Sequence, residues 1–338
     1  MLEPSAVLPF LSARCFDYGS RYYIAKTRPV PVVHFRQSMR ADGLLSRRSL
    51  LAMAAVAGCG RIPGAAQRPL GVQLYTVRDI LPKQPRHTLQ ALADIGYREV
   101  ELLRAQITIV APYLKNLNLR PVSVHFETPL ITGNFQAWKD DDMPPVDASY
   151  TFEEALAESK EHGFEYMVFN YLPPKERGGL DFYRGLADKL NAAGEKCRAA
   201  GLRLCYHNHD FEFAPKPGGR PIDTLLQRLD RKLVGLEVDV FWVSTAGVDP
   251  VAWLHQNAGR VELLHLKDRK RGAPHAFDVE SVSDDTFREV GNGELEFRAI
   301  LRAASDIGVK HYFVEQDHSA DPIRSLRQSY ENVRKLGF

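Results

Sequence analysis

The segment YHNHDFEF, residues 206–213, brings five side chains that can bind a metal ion or carry a proton into six successive positions. They are His207, Asn208, His209, Asp210 and Glu212. A single histidine at the end of a strand is usually a hydrogen-bonded group without further function. This density of imidazole and carboxylate groups is more typical of a site that does chemistry. Its function depends on which other segments supply similar groups.

Three later apolar segments also end in residues that can bind a metal ion. They are 233–240 with Glu237 and Asp239, 261–268 with His265 and Lys267, and 311–316 with Glu315, followed by Asp317. Buried carboxylates and imidazoles are costly unless they are paired or bind a cation. Nitrogen and oxygen ligands in such a mixture suit Mn²⁺, Fe²⁺, Co²⁺, Zn²⁺ or Mg²⁺. The pattern predicts one divalent metal ion of unspecified identity.

Eight short apolar runs alternate with helical patterns from about residue 69 onwards and predict the strands that position these groups. The runs are 70–76, 98–102, 120–126, 166–171, 202–209, 233–240, 261–268 and 311–316. A helical pattern is followed by glycine and then by a strand at Gly96, Gly163, Gly201 and Gly308. This recurring junction implies parallel strands with crossover helices, and eight such units predict a closed (β/α)8 barrel over 69–338.

An open, doubly wound sheet is the alternative fold. It would be expected to carry a glycine-rich phosphate loop after the first strand, and the segment QLYTVRDI has none. Two long loops, 127–150 and 268–293, follow the third and seventh predicted strands. In a barrel both lie on the face where active sites are built, so we expect them to be binding loops or lids.

Residues 39–68 have the features of an export signal. Arg47 and Arg48 precede an apolar run, 50–57, that is too short to span a bilayer and matches a signal-peptide core. The arginine pair resembles a twin-arginine (Tat) signal, and the sequence up to Cys59 resembles a lipoprotein processing site. We therefore expect an exported, periplasmic protein with Cys59 as the candidate lipid-anchored residue. Cleavage at Ala65-Ala66 is the alternative.

Residues 1–38 show no clear pattern, and Met39 is an alternative start. The chain of 338 residues is 44% apolar and 25% charged, with a formal net charge of +2. This is ordinary globular composition, and the near-neutral charge gives no argument for a nucleic-acid partner. The four cysteines form neither a disulfide framework nor a CxxC metal motif.

Seven segments together resemble, in order, the xylose isomerase-like barrel superfamily of sugar phosphate isomerases and epimerases. They are GVQLYTVRD, REVEL, YHNHDFEF, LEVDVFWVSTAG, LLHLKDRK, REVGNGELEF and YFVEQD. Members bind one divalent metal through Glu, Asp, His and Glu residues from the last four strands. The resemblance implies that Asp239, His265 and Glu315 are three of these ligands. The family's first glutamate falls at His207, so the fourth ligand is Glu212, favoured because it balances the metal's charge, or else His207 or His209.

The segment YHNHDFEF is similar to a subgroup that contains 3-keto-sugar hydratases and epimerases. This implies proton transfer next to the carbonyl of a keto-sugar through a metal-stabilised enediolate, with isomerisation, epimerisation or dehydration as the outcome. The expected catalytic residues are His207, His209, Glu315 and Lys267. The expected substrate-binding residues are Glu101, His125, Asn170 and Trp242. Lys267 either polarises a substrate oxygen or pairs with an acid.

Two other functions fit the same barrel. A metal-dependent nuclease similar to apurinic-site endonucleases would need more metal ligands and a basic surface, which the near-neutral charge does not favour. A sugar-binding lipoprotein without turnover would keep the barrel and lose the chemistry. Sugar phosphates are not the expected substrate, since no dedicated phosphate cradle is evident.

Overall fold

The computed structural model describes residues 68–338, and the export features at Arg47, Arg48 and Cys59 lie outside them. It contains ten strands. They are β1 Gly71–Gln73, β2 Glu99–Leu103, β3 Arg120–Phe126, β4 Tyr166–Phe169, β5 Arg203–His207, β6 Val234–Asp239, β7 Val261–Leu266, β8 Asp268–Arg269, β9 Phe287–Arg288 and β10 His311–Val314. All but β8 and β9 form a closed barrel in the order β1-β10-β7-β6-β5-β4-β3-β2. Every neighbouring pair in it is parallel, as the glycine junctions predict.

Eleven α-helices accompany these strands in the part of the chain that the structure describes. They are α1 Pro85–Ile95, α2 Ile107–Leu114, α3 Pro129–Thr132, α4 Phe135–Asp140, α5 Phe152–Glu161, α6 Leu180–Ala200, α7 Pro221–Arg228, α8 Val240–Thr245, α9 Pro250–Gln256, α10 Phe297–Asp306 and α11 Pro322–Lys335. Their apolar faces form one large core with the strands. Within residues 68–338 we find no helix with the length and apolar character needed to cross a membrane.

Helices give way to barrel strands at the glycines noted in the sequence. Gly201 ends α6 with φ 86°, and its N–H bonds to carbonyls of the last helical turn. Gly96, Gly163 and Gly308 also have positive φ. A residue with a Cβ is strained in this conformation, which explains why the junction recurs with glycine.

The first barrel strand is shorter than predicted. It ends at Gln73, whose side chain accepts a hydrogen bond from Tyr75 N, and a 3₁₀ turn follows over Leu74–Val77. The apolar run 70–76, which includes Leu74, predicted a longer strand, but Leu74 packs into the core from the turn, as does the following Val77. A capped turn and a strand end look alike in an apolar run, so periodicity alone does not separate them.

The barrel axis is filled by a small apolar cluster, distinct from the main core. Its members are Val122, Tyr166, Val168, Cys205, Leu263 and Phe313. Cys205, Leu263 and Phe313 each lie two residues before a polar residue, at 207, 265 and 315. Alternate residues share a face of a strand, so this apolar plug lies directly beneath the polar groups at the carboxyl ends.

The long loop after β7 is fastened by the carboxylate of Asp268. This group accepts hydrogen bonds from the backbone N–H groups of Arg269 at 2.8 Å, Gly291 at 2.9 Å, Gly293 at 2.8 Å and Leu295 at 3.2 Å. The loop also forms the antiparallel ribbon β8–β9, which the sequence did not predict. A Cβ on Gly293 would overlap Arg269 O and the Asp268 carboxylate, so this close approach requires glycine.

Candidate metal and sugar site

Two overlapping groups of side chains at the carboxyl ends of the barrel strands offer atoms that can bind a cation. We call them the Asp239 group, formed by His207, Asp239 and His265, and the Glu237 group, formed by Glu101, His125, Glu237 and His265. Within each group the potential ligand atoms all lie within 4.8 Å of one another, and every member is buried. His265 belongs to both groups because its two ring nitrogens face different neighbours.

Asp239 ends β6 and also begins α8, so its two carboxylate oxygens have different tasks. Oδ1 accepts hydrogen bonds from Phe241 N at 2.8 Å and Trp242 N at 3.2 Å, which caps the helix. Oδ2 accepts no hydrogen bond among the described residues, although it lies 3.0 Å from Lys267 Nζ and 3.7 Å from His265 Nδ1. The cap thus fixes the carboxylate and leaves Oδ2 directed at the imidazole.

Glu315 adjoins the Asp239 group from the last barrel strand. Its Oε2 lies 2.9 Å from His265 Nδ1 and 2.7 Å from Lys267 Nζ. Burial opposes ionisation, but Lys267 and His265 outweigh it and hold the pKa of Glu315 well below its usual range. His265 Nδ1 therefore faces two ionised carboxylates, Asp239 and Glu315. The three expected ligands are brought together.

Glu212 is not brought to these ligands. One of its oxygens accepts a hydrogen bond from Tyr206 OH at 2.8 Å, and the other accepts one from His209 N at 2.9 Å. Tyr206 packs in the main core and belongs to the opposite face of β5 from His207. This is a correction of the favoured expectation: the carboxylate is held against the core side of the strand. The remaining alternatives are His207 and His209. Of these, His207 belongs to the Asp239 group, and its Nδ1 lies 3.1 Å from Glu237 Oε2.

Lys267 is a buried ammonium surrounded by acids. Its Nζ lies 3.0 Å from Asp239 Oδ2, 2.7 Å from Glu315 Oε2 and 2.8 Å from Asp317 Oδ1. Burial disfavours the charged form, but these three carboxylates raise the pKa of Lys267 well above its usual value. The residue is therefore a fixed positive charge, and the alternative that it pairs with an acid matches its contacts.

The Glu237 group forms a tight polar quadrilateral. His125 Nε2 lies 2.8 Å from Glu237 Oε2 and 3.2 Å from Glu101 Oε1. His265 Nε2 lies 2.5 Å from the same Glu101 oxygen and 3.5 Å from Glu237 Oε2. Burial opposes the imidazolium form, but Glu101 and Glu237 prevail and raise the pKa of His125 to about 9. Glu101 is thus an interior residue with a fully buried side chain.

His209 lies beside this polar centre against an aromatic wall. Its ring centroid is 5.3 Å from that of Trp242, 5.7 Å from Phe211 and 5.5 Å from Tyr171. Burial, with the positive charge of Lys267 nearby, holds the pKa of His209 well below its usual value, so the ring is neutral. Its Nδ1 has no hydrogen-bond partner within residues 68–338. Such a nitrogen can accept a proton.

Asn170 and Trp242 have the properties expected of substrate-binding groups. Asn170 follows β4, is half-buried, and its Oδ1 has no hydrogen-bond partner in the described chain. Trp242 is buried and its Nε1 is likewise without a partner there. Free polar atoms beside an aromatic ring can bind the hydroxyl groups and the apolar face of a sugar.

The loop after β7 reaches across to the loop after β4. Glu280 accepts two hydrogen bonds from Arg177, from NH1 at 2.9 Å and from NH2 at 2.5 Å, and a third from Tyr171 OH at 2.6 Å. Arg177 also lies over the ring of Phe211, 3.8 Å from its centroid. Because Tyr171 and Phe211 both contact His209, this link connects the loop to the wall of the site.

The donor set satisfies the chemical requirements for a divalent cation. Asp239 Oδ2 is a buried atom that accepts no hydrogen bond from the described residues, His265 Nδ1 lies 3.7 Å from it, and His207 offers a ring nitrogen to the same group. With Glu315 they offer two imidazoles and two carboxylates, which suit Zn²⁺, Mn²⁺, Fe²⁺ or Co²⁺. His265 has Glu101 at its other nitrogen, the carboxylate partner that commonly orients a ligating histidine.

Two residues of this centre received no role from the sequence. Glu237 was recognised only as sharing a strand face with Asp239, yet it lies between His125 and His207, 3.1 Å from His207 Nδ1. Gln73 was not considered, and its Nε2 donates to Glu101 Oε1 at 2.9 Å. Strand alternation could have identified Glu237. For Gln73 no sequence signal distinguishes an inward amide from a surface one.

Comparison with known proteins agrees with the closed barrel that the structure shows. Residues 89–336 match the family model described as "Xylose isomerase-like TIM barrel". An inosose dehydratase of Geobacillus kaustophilus is 32% identical over 121 residues, which cover 36% of this chain and 34% of that relative. The chain thus matches about a third of that relative's length.

Two solved structures share the fold. A sugar phosphate isomerase/epimerase from Parabacteroides distasonis has a TM-score of 0.62 at 22% identity, covering 83% of this chain and 96% of that one. The IOLI protein with a bound zinc atom has a TM-score of 0.58 at 14% identity, covering 80% of this chain and 98% of that one. At these identities the likeness concerns the fold alone.

Proposed function

Because this chain belongs to the xylose isomerase-like TIM barrel family, we propose that it is a divalent-metal-dependent enzyme that transfers a proton next to the carbonyl group of a keto-sugar or keto-cyclitol. The observation that carries the proposal is the convergence of His207, Asp239 and His265, whose potential ligand atoms are buried and lie within 4.8 Å of one another, with Glu315 Oε2 2.9 Å from His265 Nδ1. Buried carboxylates and imidazoles are costly unless they are paired or bind a cation.

His207 Nδ1, Asp239 Oδ2, His265 Nδ1 and Glu315 Oε2 would hold the ion. When bound, a divalent cation supplies Lewis acidity to a carbonyl oxygen, which makes the neighbouring C–H more acidic. The protein must then provide a base of suitable pKa and a surface that orients the ring of the substrate.

His209 is the proposed base. Its neutral Nδ1 accepts the proton from the carbon next to the carbonyl, and Trp242 and Asn170 bind the ring and its hydroxyls. Glu212 keeps His209 in place, because its carboxylate accepts the hydrogen bond of His209 N. Lys267 supplies a fixed positive charge that stabilises negative charge on substrate oxygen and holds Asp239 and Glu315 in position.

The outcome that we favour is loss of water. After proton removal, the proton can return to the carbon from the other face, or the protonated His209 can donate it to the β-hydroxyl group of the substrate, whose C–O bond breaks to release water and leave a C=C bond. The inosose dehydratase of Geobacillus kaustophilus is named for the latter type of reaction. We propose dehydration of a polyhydroxylated ketone, with epimerisation or isomerisation as the alternative outcomes.

Deuterium exchange tests this proposal. Metal-loaded protein is incubated in D₂O with a keto-inositol and with 3-keto-glucosides, and products are followed by NMR. We expect deuterium at the carbon next to the carbonyl, and loss of water from the accepted substrate. His209→Gln should lower the rate about 10²- to 10⁴-fold while the metal content is retained. His255→Gln, a change at an exposed histidine on α9, is the matched control.

Two results would contradict the proposal. Binding of these compounds without exchange would favour the sugar-binding lipoprotein instead. A rate for His209→Gln equal to that of His255→Gln would remove His209 from the mechanism.

We also propose that the chain is exported to the periplasm, on the basis of Arg47, Arg48 and the following apolar run. Cell fractionation of the full chain tests this. The wild type should leave the cytoplasm, and the double change Arg47→Lys with Arg48→Lys should retain it there. Cys59→Ala should abolish lipid labelling if this cysteine anchors the protein. Retention of the wild type in the cytoplasm would refute export.

A further inference from the structure

We infer that the Glu237 group binds a second divalent cation, held by Glu101, His125 and Glu237 and adjoining the one proposed at the Asp239 group. Neither the sequence resemblance, which implies a single metal, nor the names of the relatives assign this site. The inference rests on ligand geometry, on buried atoms that lack partners and on the balance of charge.

The four polar atoms of this group are spaced nearly as a small cation needs, and three of them are the proposed ligand atoms: Glu101 Oε1, His125 Nε2 and Glu237 Oε2. Ligand bonds of about 2.0–2.2 Å in a tetrahedral arrangement place neighbouring ligand atoms about 3.4 Å apart. The observed separations are 2.8 Å and 3.2 Å from His125 Nε2 to the two carboxylates, and 2.5 Å and 3.5 Å from His265 Nε2 to the same oxygens. Small side-chain shifts would therefore complete the coordination.

The remaining carboxylate oxygens have no other use in the described chain. Glu101 Oε2 and Glu237 Oε1 are buried and without a hydrogen-bond partner there. Both side chains are fully buried. Gln73 Nε2 donates to Glu101 Oε1 at 2.9 Å and so orients that carboxylate. Orientation of a ligand by a neighbouring amide is typical of a built metal site.

His265 allows both ions to be present. If Nδ1 of His265 binds the first cation, its Nε2 carries a proton and donates a hydrogen bond to Glu101 Oε1. The second cation then takes its protein ligands from Glu101, His125 and Glu237, with open positions for water or for substrate oxygens. These come from β2, β3 and β6, whereas the first site uses β5, β6, β7 and the segment just after β10.

Charge balance favours two ions over one. Five carboxylates belong to this buried centre: Glu101, Glu237, Asp239, Glu315 and Asp317. Lys267 is the one ammonium among them, so four negative charges remain when the imidazoles are neutral. With one dication at the Asp239 group, a protonated His125 compensates one of the two remaining charges, whereas a second dication bound by neutral His125 neutralises both.

The inference builds on the proposed function in one respect, which is the first cation at the Asp239 group. Metal stoichiometry separates the two claims without measuring activity. The protein is stripped with chelator, loaded with excess Co²⁺ or Zn²⁺, dialysed, and analysed by elemental mass spectrometry. We expect two equivalents per chain in the wild type. No retained metal would overturn both claims, and one equivalent would overturn the second site alone.

Two variants show which group of side chains binds each equivalent of metal. Asp239→Asn keeps an oxygen to cap Phe241 N and replaces the proposed ligand Oδ2 by an amide. Glu237→Gln keeps every residue of the first group and replaces one ligand of the second, at a side chain that also lies 3.1 Å from His207 Nδ1. Each should retain one equivalent, and wild-type metal content in Glu237→Gln would overturn the second site. Asp249→Asn, a change at the cap of α9 away from the site, should retain both.

Folding is checked by circular dichroism of the metal-free variants. If a variant fails to fold, anomalous scattering from crystals of the metal-loaded wild type is used to locate the metal ions instead. Two peaks, one in each group, would support the inference. A single peak would overturn it, since hydrogen bonds with a protonated His125 would then account for the Glu237 group.

Discussion

Individual side chains in this centre are directed by the backbone that carries them. Asp239 is both the last residue of a strand and the cap of a helix, so one oxygen is fixed by N–H groups and the other is free. His207 occupies the inward face of β5, while its neighbour Tyr206 packs in the main core. Alternation along a strand thus decides which of two adjacent polar residues faces the proposed cation site.

The position of Glu212 illustrates what the sequence does not determine. The residue lies beyond the end of β5 in a 3₁₀ turn, Phe211–Phe213, where the alternation of the strand no longer applies. A charge argument favoured it as a ligand, but the turn directs it to Tyr206 OH. Local backbone geometry outweighed the electrostatic preference. Glu212 lies five residues after β5 ends at His207, where no strand pattern predicts the direction of a side chain.

Substitution of Glu212 should alter stability and leave metal binding unchanged. Burial, partly offset by Tyr206 and backbone N–H groups, raises the pKa of Glu212 to about 7. A raised carboxyl pKa favours the folded state below the unfolded value of about 4.5, and this contribution is lost as the pH rises towards 7. The side chain of Glu212→Gln cannot ionise. As the pH rises over this range, the free energy of unfolding of the variant should therefore fall by about 2–3 kcal/mol less than that of the wild type.

Urea unfolding of both proteins at pH 5 and pH 8 measures this difference. Metal content by elemental analysis should be equal in the wild type and in Glu212→Gln. Loss of metal in this variant, with the fold intact, would restore Glu212 as the fourth ligand. An equal pH dependence in the two proteins would show that the carboxylate ionises normally.

The strands and the loops of the barrel differ in how far the sequence predicts them. The eight barrel strands follow from apolar runs and glycine junctions, and their alternation carries the polar groups to one end. The loops follow from long-range contacts that no local pattern contains, such as Glu280 with Arg177 across the barrel mouth. The segment REVGNGELEF is an intermediate case, because its glycines are visible in the sequence but their partner Asp268 is not.

A methyl group at Gly293 should disturb the loop after β7. In Gly293→Ala the new Cβ would overlap Arg269 O and the Asp268 carboxylate, which are fixed by other hydrogen bonds. We expect the free energy of unfolding to fall by about 1–3 kcal/mol. Activity should fall further, because Asp268 directly follows Lys267.

Gly185→Ala is the matched control for this change. Gly185 lies on the exposed face of α6, and a Cβ there would meet nothing within 4 Å. The control should gain about 0.5–1 kcal/mol of stability, as alanine is the better helix former. Thermal unfolding of both variants measures the difference. A Gly293→Ala protein as stable as the control would contradict the proposed role of the close approach.

At the scale of the whole molecule, the barrel explains why residues distant in sequence share one site. The carboxyl ends of parallel strands all meet at one face, so β2, β3, β5, β6 and β7 each contribute a polar side chain there, and the residue that follows β10 contributes another. The fold class was therefore accessible from the sequence, together with the placement of Asp239, His265 and Glu315 close to one another at one end of the barrel. The exact partners of Glu101 and His125 were not, since barrel closure alone brings β2 and β3 close to β7.

The central claim is that a divalent cation binds between His207, Asp239 and His265 at the mouth of this barrel. Anomalous diffraction from crystals grown with Zn²⁺ or Mn²⁺ tests it most directly. The account predicts a strong peak about 2.0–2.2 Å from His207 Nδ1, Asp239 Oδ2 and His265 Nδ1. Metal-loaded crystals without a peak at this position, or with the ion bound at Glu212 instead, would contradict it.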